Sequence, residues 1–354
     1  MANGKSIATL FILACVAAFV VSVAQLVRVD EATSLKPSHA APQGLPTTTT
    51  APHAPSQCTV NISGEPVNIY ILAFNRPASL QRMLTSLLNA DYLGDTVALR
   101  FCVDTHPSHN EKHEEVVRVA RAFDWPFGPK TVDISGAPAG LTGQWLRCWA
   151  PARSDERGLI LEDDMTLSPL FYRWLKAAHN AYGSIADMAG VSLQRQELKA
   201  RPSGKGSLAA IPIDVPYLYQ LLGTWGFSPV AGHWQAFVKW QTEASFSLYP
   251  YVDGLVTTDW WRAFEATGRA HTMWEQWFIR YCSDQKLYTL YPNTQDRLIS
   301  HWQEEGAHYS KAQAEAFRKN PETLASSWTA TFPRTIDVYD FGYEHVGSAS
   351  VQCQ

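Results

Sequence analysis

Excess positive charge, internal repeats and the common nucleotide-binding motifs are all missing from this sequence. Its 33 Asp and Glu residues outnumber 29 Lys and Arg residues, giving a formal net charge of −4. Nucleic-acid-binding domains usually carry a basic stripe and a high isoelectric point, and proteins held on a membrane surface by charge need a polybasic cluster. The chain also contains no P-loop, no dinucleotide glycine fingerprint and no catalytic-triad signature. We therefore expect no nucleic-acid partner.

The first part of the chain lacks tryptophan and, over one long stretch, any charge. All 13 tryptophans lie at or after Trp125, and the 22 residues from Ser6 to Val27 carry no charged side chain. A helix of that length is about 33 Å long, enough to cross a bilayer, and Lys5 before it favours a cytosolic N-terminus. We predict a cytosolic tail over 1–5 and a transmembrane signal-anchor over 6–27. The alternative is a cleaved signal peptide ending near Ala24, although its apolar core would be longer than usual.

Large apolar residues are scarce in the next segment, residues 28–57. It contains five prolines and the run Thr47–Thr50. Such a segment cannot bury enough surface to offset the entropy lost on ordering. We predict an extended stem here, followed by one luminal domain over 58–354. Tail, span, stem and luminal domain together make the layout of a type II membrane protein.

Closely spaced cysteines are missing as well, which excludes the usual zinc motifs. One of the six cysteines lies in the predicted span and the rest are far apart: Cys15, then Cys58, Cys102, Cys148, Cys282 and Cys353. Five luminal cysteines allow at most two internal disulfides and leave one thiol free or intermolecular. The sequence alone does not give the pairing.

The luminal part alternates short apolar runs with amphipathic stretches. The apolar runs predict strands over Val67–Ala73, Val97–Val103, Thr131–Ile134 and Gly158–Leu161. Period-3.6 patterns predict helices over Pro77–Asn89, Glu111–Phe123 and Leu170–Tyr182, and a closing helix over Ala312–Lys319 before a terminal extension packed on the sheet. Alternation of this kind predicts an α/β fold, Rossmann-like, with a mostly parallel central sheet and helices on both faces.

Polar side chains follow three of these strands, where ligands bind in open α/β sheets. Asn75 and Arg76 follow the first strand, Asp104 the second, and the fourth ends in Glu162–Asp164. An isolated Asp after a strand is usually a turn former or helix cap. Three consecutive carboxylates are unfavourable unless a cation or hydrogen-bond donors compensate, and oxygen ligands suit Mg²⁺ or Mn²⁺. The alternative is a solvated acidic turn before the following helix.

These elements in this order resemble a known class of enzyme. The anchor and stem, the segment VNIYILAFNRP, a second strand ending in Asp, and GLILEDDM before a Pro-Leu-Phe-Tyr helix resemble a GT-A glycosyltransferase. EDD resembles the DxD motif of that fold, and the order is similar to that of the N-acetylglucosaminyltransferase I family (glycosyltransferase family 13). Later Trp-Gly, Trp-Glu-Gln-Trp and Gly-Ala-His segments extend the resemblance over residues 66–310. Leu-Tyr-Pro-Asn is similar to an element of plant and algal glycosyltransferase-like proteins.

The resemblance implies a Golgi membrane enzyme that transfers a sugar from a UDP-sugar to a glycan or glycoprotein acceptor. It implies that Asp164 holds Mn²⁺, or Mg²⁺, against the donor diphosphate, and that Glu162 and Asp163 contact ribose or metal-bound water. His308 is a candidate second metal ligand or phosphate contact. The metal would aid departure of the nucleoside diphosphate in an inverting displacement.

The same resemblance implies donor contacts from the first two strands. Arg76, with Asn75 beside it, would meet the diphosphate or the base. Asp104 would hydrogen-bond the uracil ring.

The base is where the sequence departs from that family. Where the family has Trp-Asp-Asp-Trp with the second Asp as base, this chain has Glu275 and Gln276, and an amide cannot accept the proton. Glu275 or Asp259 could take the role, or Glu275 could be an exposed helix residue. Two other functions stay open: a catalytically silent GT-A domain that binds glycans or acts as a scaffold, and a secreted metal-dependent hydrolase.

Overall fold

A computed structural model describes residues 62–302, 311–319 and 321–352. The predicted tail, transmembrane anchor and stem lie outside these residues, as do His308, Cys58 and Cys353. Within the described residues no helix has the length and apolar character needed to cross a membrane.

Strands and helices alternate over most of the described chain. The strands are β1 Val67–Ala73, β2 Leu99–Val103, β3 Lys130–Ile134, β4 Arg157–Glu162, β5 Met165–Leu167, β6 Met188–Ser192, β7 Tyr217–Tyr219, β8 Phe227–Pro229, β9 Tyr288–Tyr291, β10 Ile299–His301, β11 Thr335–Tyr339 and β12 His345–Ser350. The α-helices are α1 Pro77–Leu88, α2 Glu111–Ala122, α3 Gly140–Cys148, α4 Phe171–Tyr182, α5 Ala231–Ala244, α6 Val256–Ala266, α7 Trp274–Gln285 and α8 Lys311–Lys319.

Ten of these strands form one sheet in the order β12-β11-β7-β9-β6-β8-β4-β1-β2-β3. The four strands β3-β2-β1-β4 are parallel, as predicted. Beyond β4 the sheet is mixed, because β8 is antiparallel to both β4 and β6, β7 to β9, and β12 to β11. The prediction of a mostly parallel sheet was therefore too simple. A strand reaches a parallel neighbour through a crossover connection, usually a helix. No α-helix lies between β6 and α5, so β8 pairs with β6 as an antiparallel neighbour.

The helices cover both faces of the sheet, as the α/β prediction required. In β1, Ile69 and Ile71 face the core under α1, α2 and α4, whereas Leu72 faces the core under α3, α5 and α7. Side chains alternate in this way along a strand, and a strand buried on both faces is a continuous apolar run. The position of β1 inside the parallel half thus follows from its sequence.

The predicted bounds agree with the structure to within about two residues. Leu88, the last residue of α1, is 42% exposed. The terminal extension joins the sheet as β11 and β12 instead of packing on it. Cys102 and Cys148 form a disulfide that joins β2 to α3, and Cys282 is buried with a free thiol.

Candidate active site at the carboxyl edge of the sheet

The three consecutive carboxylates lie where β4 leaves the sheet. Glu162 is the last residue of β4, and Asp163 and Asp164 form the turn into β5. β5 pairs with β10 in a separate two-stranded ribbon, and the backbone N–H of Trp302 donates to the carbonyl of Asp164 at 2.7 Å. The ribbon holds the turn in place, and the side chains of Asp163 and Asp164 are only 2% and 5% exposed.

Arg76 lies between the two aspartates. It precedes α1, just after β1, and because β1 and β4 are parallel neighbours their carboxyl ends meet. Its Nη2 is 2.5 Å from Asp163 Oδ1 and its Nη1 is 2.5 Å from Asp164 Oδ2. The backbone N–H of Phe74 also donates to Asp163 Oδ2 at 3.4 Å. The structure therefore brings Arg76 and the carboxylates together at the carboxyl edge of the sheet.

His301 is a member of the site that sequence reasoning missed. It ends β10, and its Nε2 lies 3.0 Å from Asp164 Oδ2. The imidazole also stacks on Trp225, with ring centroids 5.1 Å apart. The only local signal was its place after the apolar pair Leu298–Ile299, because Asp164 is 137 positions away in the sequence.

Glu275 lies within electrostatic range of Glu162, near two stacked tryptophans. The indole N–H of Trp145 donates to Glu162 Oε1 at 3.2 Å, and Trp145 stacks on Trp274 with ring centroids 4.3 Å apart. Glu275 follows Trp274 in the first turn of α7. Burial, together with the nearby charge of Glu162, raises the pKa of Glu275 to about 7.

The cluster holds more negative charge than its neighbours neutralise. Burial and the charge of Asp164 raise the pKa of Glu162, and burial raises the pKa of Asp163 to about 7 despite Arg76. For Asp164, burial acts in the same direction, but the hydrogen bond from His301 and the charges of His301 and Arg76 outweigh it and lower the pKa. Added positive charge would stabilise the ionised forms of Glu162, Asp163 and Glu275.

A divalent cation fits this site in one particular way. Asp164 Oδ1 is buried and accepts no hydrogen bond from any described residue. Over the same part of the chain, no three metal-ligating side chains are grouped closely enough to hold an ion by themselves. Mg²⁺ and similar ions are often bound by one or two carboxylates together with substrate phosphates. The site suits this shared mode, with Asp164 as the protein ligand.

Asp104 and Asn75 lie nearby with different surroundings. Asp104 accepts backbone N–H groups from Ala139 and Gly140, both at 2.8 Å, and from Thr105 at 2.9 Å. Its carboxylate therefore caps the start of α3, the ordinary role of an Asp after a strand. The uracil contact stays a prediction. Asn75 is partly buried, and its side chain makes no hydrogen bond to a described residue.

The other base candidate, Asp259, is not part of this cluster. Its side chain is 72% exposed and pairs at 3.4 Å with Arg262, one turn along α6. Gln276, the residue after Glu275, is fully buried and donates its amide to the carbonyl of Pro250 at 2.7 Å and to Thr258 Oγ1 at 3.1 Å. Gln276 therefore holds the loop before α6 against α7, which explains why it can be an amide.

Comparison with known proteins gives only distant structural similarity. No protein family and no curated protein sequence matches the chain. A mannosyltransferase from Pyrobaculum calidifontis, in complex with GDP-Man and Mn²⁺, is 16% identical over 41% of this chain and 40% of that one, with a TM-score of 0.30. S. aureus TarS 1–349 in complex with UDP-GlcNAc is 12% identical over 69% of this chain and 60% of that one, with a TM-score of 0.36.

A longer S. aureus TarS structure is 10% identical over 66% of this chain, with a TM-score of 0.37. The chain thus spans 36–60% of the length of these three structures. Scores this low establish neither a shared fold nor a shared activity.

Proposed function

We propose that this protein is a metal-assisted glycosyltransferase that moves a sugar from a UDP-sugar to a glycan or glycoprotein acceptor. One observation carries the proposal: Glu162, Asp163 and Asp164 lie at the carboxyl edge of the parallel half-sheet with Arg76 as their principal counter-charge, and Glu275 lies within electrostatic range of Glu162. Binding at this edge is the rule for open α/β sheets. The buried, unpartnered oxygen of Asp164 offers a ligand for a cation that arrives with a diphosphate.

The charged side chains have different roles in this proposal. Arg76 has a planar fork of donors that suits phosphate oxygens, and it can exchange Asp163 or Asp164 for the donor diphosphate. His301 orients Asp164 by its hydrogen bond. Asp164 would hold Mn²⁺ or Mg²⁺, which when bound would neutralise charge on the leaving nucleoside diphosphate.

Glu275 is the better-placed general base. A pKa near 7 suits a group that must take a proton from an acceptor hydroxyl at neutral pH, and only a carboxylate near the donor can reach that hydroxyl. The exposed Asp259 lacks this environment. An inverting displacement with Glu275 as base is part of the proposal, as are a type II anchor over 6–27 and residence in the Golgi membrane.

A catalytically silent domain is the second candidate. The observation that favours it is the burial of Gln276, which cannot accept a proton and is committed to Pro250 and Thr258. Such a protein would bind a UDP-sugar or a glycan without turnover. The position and raised pKa of Glu275 favour the enzyme instead.

The deciding experiment is UDP release by the luminal domain, starting at about residue 58, from a panel of UDP-sugars with Mn²⁺ or EDTA. We expect release from one donor that needs Mn²⁺ and falls at least 100-fold in Asp164→Asn. The matched control is Asp155→Asn, an exposed carboxylate paired with Arg153 outside the site, which should keep full activity. UDP binding without release would favour the silent domain, and no binding of UDP would refute the proposal.

The base is tested in the same assay. Glu275→Gln should lower turnover by about 10²–10⁴-fold, the usual contribution of a general base, and leave UDP binding unchanged. Asp259→Asn should have no effect, because its side chain lies in solvent. If Asp259→Asn loses turnover and Glu275→Gln does not, Asp259 is the base and Glu275 is not.

A further inference from the structure

A small pocket lies two strands along the same sheet edge from the carboxylates. β4 and β6 run in the same direction, since each is antiparallel to β8, so the segment after β6 leaves the sheet beside the segment after β4. Two strand spacings amount to about 10 Å. The pocket has a volume of about 170 Å³ and is lined in part by Gln194, Arg195, Glu197, Trp225, Arg297 and Glu322. We call it the Arg195 pocket.

Trp225 joins the Arg195 pocket to the active site. It lines the pocket and stacks on His301, which contacts Asp164. The volume of this pocket is well below the range of about 300–1,000 Å³ that is typical of pockets for a whole drug-sized ligand. It suits one ring of a larger substrate, and a tryptophan offers an apolar surface at which the C–H face of a sugar can pack.

Arg195 is the cation in this pocket that the described protein leaves without a partner. Its guanidinium makes no hydrogen bond or ion pair with any described residue, and its Nε is enclosed without an acceptor. The neighbouring Arg297 differs, because it pairs with Glu197 at 2.8 Å and with Glu322 at 3.3 Å. Both pocket carboxylates therefore pair with Arg297, so the four charged side chains of the pocket sum to zero and Arg195 is the one whose charge has no described partner.

We infer that the Arg195 pocket binds an acidic sugar residue of the acceptor, with Arg195 as its specificity-determining residue. This inference rests on the proposed glycosyl transfer. Arg76, Asp163 and Asp164 place the donor diphosphate at the ends of β1 and β4, which leaves the β6 side of the edge to the acceptor. The fork of Arg195 matches a carboxylate with two parallel hydrogen bonds. Gln194, whose side-chain amide has no described partner, is available for a ring hydroxyl.

The test uses three probes that differ only at C6 of the sugar: methyl β-glucuronide, methyl β-glucoside and methyl β-glucoside 6-sulfate. Their binding to the luminal domain is measured by saturation-transfer NMR at low and high salt, with Arg195→Gln and Arg195→Lys as variants. Arg118→Gln is the matched control, because Arg118 is an exposed arginine on α2 whose partner is Glu115. UDP binding is measured on every variant as an independent check on the donor site.

We expect the glucuronide to bind at least tenfold more tightly than the glucoside and to lose that advantage in Arg195→Gln. Arg195→Lys should keep part of it, since lysine retains the charge and loses the fork, and high salt should weaken it. Stronger binding of the sulfate would assign the pocket to sulfated acceptors. Equal binding of glucuronide and glucoside, with UDP binding intact, would overturn the inference and leave the proposed function standing. If the wild-type protein does not bind UDP, the proposed function is refuted, whatever the result with the sugars.

Discussion

Two buried charged clusters in this protein are built in opposite ways. In the first, Lys176 on α4 donates to both carboxylate oxygens of Asp95, at 2.7 and 2.5 Å, and the hydroxyl of Tyr172 donates to Asp95 at 2.6 Å. The same hydroxyl accepts the backbone N–H of Val67, at the start of β1. The charges of this closed cluster cancel, and its groups hydrogen-bond one another.

The second cluster, at the carboxyl edge, leaves its charge open. Asp163 and Asp164 share Arg76, and Asp164 also contacts His301. The charged neighbour of Glu275 is Glu162, and one oxygen of Asp164 has no described partner. A buried charge is tolerated when it is paired and hydrogen-bonded, and is costly otherwise. The difference indicates that the closed cluster fixes α4 against β1, whereas the open cluster is prepared for a ligand that brings the missing charge.

Removing a charge from the closed cluster should have the largest effect on stability. Lys176→Met leaves the partly buried Asp95 without its cation, so the free energy of unfolding should fall by about 3 kcal/mol, the lower end of the cost of breaking a buried ion pair. Chemical denaturation followed by far-UV circular dichroism measures this change. The double variant Asp95→Asn with Lys176→Met should recover most of the loss, and UDP binding per folded molecule should not change. A stability loss below about 1 kcal/mol would mean that the cluster is not closed.

Placing a carboxylate at Gln276, next to Glu275 in α7, should destabilise the domain without supplying a general base. In Gln276→Asp a buried charge replaces an amide that donates to Pro250 and Thr258, and we expect a loss of about 2–3 kcal/mol. Turnover should not rise. Faster UDP release by this variant would show that position 276 does face the acceptor.

Removing a charge from the open cluster should stabilise the domain, with a smaller effect that depends on pH. The folded-state pKa of Glu275, about 7, lies above its unfolded value, so the folded state holds the proton more tightly. Stability from this group is present below the unfolded pKa of about 4.5 and falls as pH rises towards 7. In metal-free buffer at pH 8, Glu275→Gln should therefore be more stable than wild type by about 1–3 kcal/mol.

The control for that experiment is the same pair of proteins at pH 4.5. There Glu275 is protonated in the folded wild type, so the two melting temperatures should agree closely. A difference that stays constant from pH 4.5 to 8 would mean that Glu275 does not titrate as its surroundings require.

The sequence predicted the parts of the fold that depend on local pattern. The apolar run VNIYILA and the leucines of α1 carry their own periodicity, so β1 and α1 were found with nearly correct bounds. The mixed half of the sheet was not foreseen, because β7, β8 and β10 have three residues each, too few for a periodic signal.

Part of the candidate site can likewise be predicted from the sequence, and part cannot. Asp163, Asp164 and Arg76 follow predicted strands, and the geometry of parallel strands brings such positions to one edge. His301 reaches Asp164 only through the pairing of β5 with β10, and Glu275 lies within electrostatic range of Glu162 near the stack of Trp145 on Trp274. Contacts of this range leave no trace in spacing or periodicity.

The alternation of strands and helices and the acidic end of β4 can be predicted from the amino-acid sequence alone, because hydrophobic periodicity and consecutive residues are local properties. How each charge is used depends on contacts that form only in the folded chain. The tertiary structure assigned Asp104 to the start of α3, paired Arg297 with both pocket carboxylates, and left Arg195 and one oxygen of Asp164 without described partners. Whether a buried charge is neutralised depends on groups that are distant in sequence and meet only when the chain has folded.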